Sequence, residues 1–401
     1  MRSDRFALYL TPDKEDELSA IANKLVIAGK GILAADETPS TLGVRFKSIG
    51  LENTPENRKA YRQVLFSTDC SISRYVSGII LHPETLDEDR KIIPGVKVDL
   101  GLVDLPGTFG ECTTQGLDEL SARCARYKNA GCQFAKWRCA FKICSKTPSY
   151  LAMKETANVI ARYAVVCQKN GLVPIIEPDI LCDGNHSLEI SEHINETMLS
   201  YVFKALADHQ IYLEGTLLKT NFIRSGHSSC KISTIEENAA ATLRVLQRTV
   251  PVAVPGILFL SGGLAENSAT LNLNEVNRTP GKKPWALTFS FGRALHNSVL
   301  QAWQGRKENV PSAHCQLLKL AKVSKLQKLA TLFRYFVRAV HSALSLLSHS
   351  AHCSLCCSLC SLSAHSLLTL LSLCSLTLLS LTLLSLLCII ESDYRLEEGR
   401  L

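Results

Sequence analysis

Three lysines, two carboxylates and an arginine lie in or at the ends of short apolar runs: Asp36 closes "GILAAD", Lys97 falls in "GVKVD", Lys136 and Arg138 in "QFAKWR", Glu177 in "LVPIIEPD", and Lys219 closes "EGTLLK". A lysine alone at a strand end reads as a solvated surface group, because a buried ammonium is expensive unless paired. The set reads differently, since clustered groups of both signs perturb one another's pKa values. An amine attacks a ketone only when unprotonated, and a free lysine, with a pKa near 10.4, is charged at neutral pH. Apolar burial and a neighbouring cation both lower that value, and Lys136 is a candidate neighbour for Lys219. The iminium so formed is an electron sink that makes a nearby carbon–carbon bond breakable. Retro-aldol cleavage needs such a sink, a base for the departing hydroxyl's proton and an acid for dehydration of the carbinolamine. Asp36 and Glu177 supply two carboxylates in different settings. Arg45, Lys97 and Arg293, with main-chain N–H groups in Ser261, Gly262 and Gly263, are suited to holding phosphates at a substrate's ends.

These residues need elements that bring them to one place. The same type of short apolar run recurs as "SGIILH", "GILFLSGG" and "WALTFSFG", making eight in all. Amphipathic stretches such as "GLDELSARCARYKNAG", "ETANVIARYAVVCQKNG" and "IEENAAATLRVLQRTV" lie between most of them. Thr11 before Pro12 and a group of acidic residues marks the start of a first helix, with Leu18, Ile21, Leu25 and Val26 as its apolar stripe. Near-continuous apolar strands alternating with helices imply a parallel sheet buried on both faces, and eight such units predict a closed (β/α)8 barrel in the α/β class. In that fold the C-terminal strand ends share one rim, where the polar residues above would meet. A chain of 401 residues does not force a second domain on this barrel.

The net charge is +7, of which residues 1–310 carry +3. That mild excess fits small anionic substrates and does not point to nucleic acid. Of 16 cysteines, nine are scattered through residues 1–310 without a disulfide framework, so reduced thiols in the cytoplasm are expected. The N-terminal apolar run is too short for a signal peptide, and no export or transit signal is read. Asn185-His186-Ser187 and Asn195-Glu196-Thr197 match a glycosylation pattern and are taken as chance.

"GKGILAADET", "KVDLGLVDLPGT", "TTQGLDELSARCARYKNAGCQFAKWR", "NGLVPIIEPDI", "YLEGTLLKTN", "FLSGG" and "KPWALTFSFGRAL" together resemble class I fructose-bisphosphate aldolase over nearly all of residues 10–310. The resemblance implies that Lys219 forms a Schiff base and that Glu177 acts in the acid and base steps of iminium formation. Asp36 would take the proton of the hydroxyl at the cleaved bond, and Lys136 would support the charge of the cluster. Arg138, Glu214 and Asn221 would belong to the surrounding network. Ser261, Gly262, Gly263, Ser290, Gly292 and Arg293 would hold one phosphate; Arg45, Lys97, Ser40 and Thr41 would serve the other. The implied reaction is reversible cleavage of fructose 1,6-bisphosphate to glycerone phosphate and glyceraldehyde 3-phosphate, without metal or cofactor, in a cytoplasmic homotetramer. Cytoskeletal binding is a further property of the family.

Two departures stand out. The link at 83–94, "PETLDEDRKIIP", is shorter than the family's, just long enough for a crossover but without room for a proper covering helix. The sequence therefore divides into a barrel at 1–312, a basic helical segment at 313–338 and a tail at 339–401, whose residues 339–390 contain no Asp, Glu, Lys or Arg. The tail has three readings: translated simple-repeat nucleotide sequence, which is preferred; a membrane anchor in the 24 uncharged residues 367–390; and a metal site at Cys353, Cys356, Cys357 and Cys360. Tyr394 is not given the role of the family's C-terminal tyrosine. The alternatives to an active aldolase are accordingly a catalytically impaired aldolase-like binding protein and a membrane-anchored aldolase.

Overall fold

All eight apolar runs become strands of one closed barrel in this computed structural model, which describes residues 9–85 and 92–324. In chain order the strands are β1 (Gly31–Ala35), β2 (Val76–Leu81), β3 (Ile93–Lys97), β4 (Leu102–Asp104), β5 (Cys112–Thr114), β6 (Phe134–Lys142), β7 (Val173–Leu181), β8 (Leu217–Thr220), β9 (Gly256–Phe259) and β10 (Ala286–Phe291). All but β4 and β5 are in the barrel, every pairing is parallel, and β10 returns to β1. The antiparallel β4–β5 hairpin stands outside it and was not foreseen.

The helices are α1 (Pro12–Leu25), α2 (Pro39–Lys47), α3 (Pro55–Phe66), α4 (Leu120–Asn129), α5 (Tyr150–Lys169), α6 (Leu188–Asp208), α7 (Ile235–Thr249), α8 (Glu266–Arg278) and α9 (Arg293–Trp303). Local chemistry fixes several starts. Proline opens α1, α2 and α3, where its missing N–H costs nothing. Side chains of Thr38, Thr54, Ser149 and Ser187 accept from N–H groups of the first turn, and Thr234 with Glu237 forms a capping box on α7.

Side chains alternate along each strand, so one strand serves two apolar layers. Ile32, Ile80, Phe134, Val173, Ile175, Leu217 and Leu258 fill the barrel with Leu18, Ile21 and Leu25 of α1. Leu33, Ile79, Trp137, Ile176 and Leu218 belong instead to the larger core that includes the covering helices. Gly95 leaves room inside: a Cβ there would lie 2.3 Å from the Phe134 ring. Above this floor the same alternation delivers polar residues, with Lys97 in register with Lys136 and Arg138 with Glu177.

The short β2–β3 link does not prevent closure, because β3 pairs with β2 from Ile93 to Val96. Its first part is a 3-10 turn, Pro83–Thr85. Glu84 in that turn is clamped by Arg58 at 2.8 Å and Arg62 at 2.6 Å, both from α3. Residues 86–91, which bear on the expected loss of cover, lie outside the described residues. The basic segment begins as a helix over 310–324, and the readings of the tail also fall outside what is described. Among the described residues no helix is long and apolar enough to cross a membrane, and no cluster of His, Cys, Asp and Glu suits a metal ion. Asn195 is buried within α6 and donates to Ser191 O, so the second glycosylation match is sterically closed.

Candidate active site

β7 supplies Glu177 and, two residues on and so on the same face, Asp179; β6 supplies Lys136 and Arg138 by the same rule. Lys219 lies in β8, Lys97 ends β3, and Asp36 follows β1 directly. The four residues expected to carry chemistry form one alternating chain of charge. Lys219 Nζ is 3.1 Å from Glu177 Oε1, Glu177 Oε2 is 2.9 Å from Lys136 Nζ, and Lys136 Nζ is 2.6 Å from Asp36 Oδ2. None is more than 9% exposed.

Burial alone would raise the carboxyl of Asp36, but the Lys136 and Lys219 ammonium groups outweigh it and hold it well below the usual range. Glu177 is lowered by the same contest, with Arg138 adding to the two lysines. Burial would pull Lys136 down; its two carboxylates prevail and hold it above the ordinary lysine range. At neutral pH Lys136 is therefore a fixed cation between two anions. Asp179 goes the other way, because burial exceeds the pull of Arg138, which donates to it through Nε and Nη2 at 2.9 and 2.7 Å.

These groups line a cavity of about 240 Å³ at the C-terminal end of the barrel. Thr41, Arg45, Lys97, Arg138, Ser261, Gly262, Ser290, Gly292 and Arg293 share it with the charge chain. Ser290 is 1% exposed, and its Oγ has no hydrogen-bond partner among the described residues. Helix α9 starts at Arg293, so its N-terminal N–H groups lie at the same wall. Lys97 is held by Asp99, whose other oxygen accepts from the Arg138 main chain at 3.3 Å. Arg45 is held by Glu37. The cavity thus carries cations and N–H donors on its walls together with the amine and two carboxylates.

Four expected residues do not join this lining. Ser40 is exposed on the first turn of α2, bonded to Thr38 at 2.9 Å. Gly263 backs the turn with φ +78, and a Cβ there would lie 2.9 Å from His227. Asn221 braces strands: its Oδ1 accepts from Ile180 N at 3.3 Å. The expectation for Glu214 is corrected: it is exposed in the 3-10 turn Leu213–Gly215 that leads into the N-terminal end of β8, whereas the cavity lies at the C-terminal end of the strands. Sequence reasoning passed over Glu37, Thr38 and Asp179, all of which line the cavity. Asp179 was findable from its spacing to Glu177.

Comparisons with known proteins agree with this geometry. Residues 17–349 match the family model described as fructose-bisphosphate aldolase class-I. The chain is 56% identical to a fructose-bisphosphate aldolase of Echinococcus multilocularis over 330 residues, 79% of this chain and 91% of that protein. It is 57% identical to that of Schistosoma mansoni over the same shares. Among solved structures, fructose-bisphosphate aldolase from Plasmodium falciparum, in complex with TRAP and a small-molecule inhibitor, matches with a TM-score of 0.78 and 48% identity, covering 80% of this chain and 96% of that one.

Proposed function

Because this chain belongs to the class-I fructose-bisphosphate aldolase family and is an aldolase of glycolysis, we propose that it cleaves its substrate through a Schiff base on Lys219, with Glu177, Asp36 and Lys136 as the groups that manage protons and charge. The single observation that carries this reading is the buried chain Asp36, Lys136, Glu177, Lys219, joined at 2.6, 2.9 and 3.1 Å.

The neutral Lys219 amine attacks C2 of the open-chain ketose, and the ketone oxygen leaves as water after protonation by the acid form of Glu177. Glu177, 3.1 Å from Lys219, is in reach of both the amine proton and that oxygen. Asp36 then removes the proton of the C4 hydroxyl. The C3–C4 bond breaks, its electron pair moves into the iminium to give an enamine, and glyceraldehyde 3-phosphate departs. Protonation at C3 and hydrolysis of the iminium release glycerone phosphate and return the Lys219 amine. Lys136 stays charged throughout, held between Asp36 and Glu177.

The Ser261–Gly262 turn follows β9, the neighbour of the Lys219 strand, so it suits the phosphate on C1, aided by Ser290, Gly292 and Arg293. Arg45, Lys97 and Thr41 suit the phosphate on C6. Gly263, Ser40 and Asn221 support these loops from outside the cavity. Cytoplasmic residence, a homotetramer and binding to protein partners are proposed from family likeness. Steady-state cleavage assays on the full chain and Lys219→Arg test the assignment. Loss of turnover of about 10⁴-fold or more is expected for removal of the nucleophile, and an active Lys219→Arg variant would overturn it.

A further inference from the structure

We propose that His296 is a positioning residue for Arg45, holding the arginine in place before the second phosphate of a bisphosphate arrives. The inference rests on the phosphate role given to Arg45 above.

His296 lies in the first turns of α9, three residues after Arg293, and is 0% exposed. Its Nε2 is 2.9 Å from Ala34 O, an acceptor only, so Nε2 carries the hydrogen. That leaves Nδ1 as an acceptor. Two donors reach it: Tyr61 Oη at 2.9 Å and Arg45 Nη1 at 3.1 Å. A guanidinium has donors alone, so this contact exists only with a neutral imidazole in this tautomer. Burial accordingly pulls His296 below its ordinary pKa, against the nearby Glu37 carboxylate.

Arg45 Nη1 is thus pinned by acceptors from two directions, Glu37 after β1 and His296 from α9. Among the described residues no further acceptor meets the guanidinium, so its other N–H groups can take an anion in the cavity that Arg45 lines. A free arginine gives up much rotamer freedom when it takes a phosphate, and a partner that fixes it beforehand removes that cost. One helix turn then serves both ends of the substrate: Arg293 and Gly292 at one phosphate, His296 behind the arginine of the other. The histidine touches no substrate itself.

The test compares fructose 1,6-bisphosphate with fructose 1-phosphate, which lacks the second phosphate, as substrates of the full chain, His296→Leu, His296→Asn and Arg45→Ala. His296→Leu should raise KM for the bisphosphate about 3- to 10-fold, the range set by one side chain left unordered before binding. Its kcat/KM for fructose 1-phosphate should stay within about twofold. Asn places an amide oxygen near the Nδ1 position and should restore much of the bisphosphate KM. Equal losses on both substrates, or no change on either, would overturn the inference. Arg45→Ala that leaves the bisphosphate KM unchanged would overturn the phosphate role of Arg45 itself, whereas a raised KM there beside an unaffected His296→Leu would remove only the role of His296. If His296→Leu does not accumulate, His296→Met, whose flexible chain refills a cavity more easily, is read by the same two-substrate ratio and against the same outcomes.

Discussion

Replacing Lys136 by methionine removes the ammonium that touches both Asp36 and Glu177, at 2.6 and 2.9 Å. The carboxylates remain buried, at 9% and 3% exposure, and Lys219 directly serves only Glu177. Breaking a buried ion pair by removing one partner costs about 3–5 kcal/mol. The pH dependence follows group by group. In the native protein both carboxyls are held below their usual range, so their contribution is complete above about pH 4 and lost as the pH falls through their folded values. Lys136 is held above its usual value, so its contribution is complete below about pH 10.4 and lost only as the pH rises past its folded value. In Lys136→Met the main cation opposing burial is gone, and burial pushes both carboxyls up from their native positions against the remaining pull of Lys219, with Lys97 at Asp36 and Arg138 at Glu177. The folded variant then binds protons that its unfolded chain has released, and it gains stability as the pH falls from about 7.5 toward about 5. Each unit of rise in one carboxyl is worth about 1.4 kcal/mol. Urea unfolding followed by tryptophan fluorescence should therefore show a deficit of about 3–5 kcal/mol near neutral pH that narrows by about 1–3 kcal/mol near pH 5. A deficit under about 1 kcal/mol, equal at both pH values, would refute the reading of these four side chains as one interlocked set.

Glu177→Gln should lower kcat by about 10²- to 10⁴-fold with the circular dichroism unchanged; a kcat near that of the parent would contradict the proton role of Glu177. Gly263→Ala forces a side chain into φ +78 with its Cβ 2.9 Å from His227. Its cost should be about 1–3 kcal/mol in thermal unfolding, with weaker glycerone phosphate binding, and a fully stable variant would show that the turn can relax. Burial would raise Glu84, but hydrogen bonds from Arg58 and Arg62 outweigh it and hold the carboxyl to about 2. Its contribution to stability is thus present above about pH 4.3 and lost as the pH falls toward that folded value. Glu84→Gln should flatten the acid limb of a stability profile in that window, and an unchanged limb would detach Glu84 from the crossover's anchoring.

The barrel was legible because its strands are short, apolar and separated by helical patterns, a texture that few folds share. The β4–β5 hairpin was not, since two three-residue strands with partly exposed side chains carry too few residues to show a period. Within the site, strand alternation was the readable signal: it aligns Lys136 with Arg138 and Glu177 with Asp179. Glu214 was not reached by that signal. The resemblance placed it in the network around Lys219, yet it precedes the strand and sits at its opposite end. His296 left no trace in the sequence, because its meaning depends on Arg45 and Tyr61, 251 and 235 residues away along the chain. Pairings of that kind are made by barrel closure, which brings α9 back beside the first strand.

Borohydride reduction in the presence of glycerone phosphate, read by intact mass and peptide mapping, bears most directly on the chemistry assigned to Lys219. A single reduced adduct on Lys219, absent from Lys219→Arg, is the expected result. A folded protein that takes no adduct, or takes it on another lysine, would contradict the Schiff-base assignment.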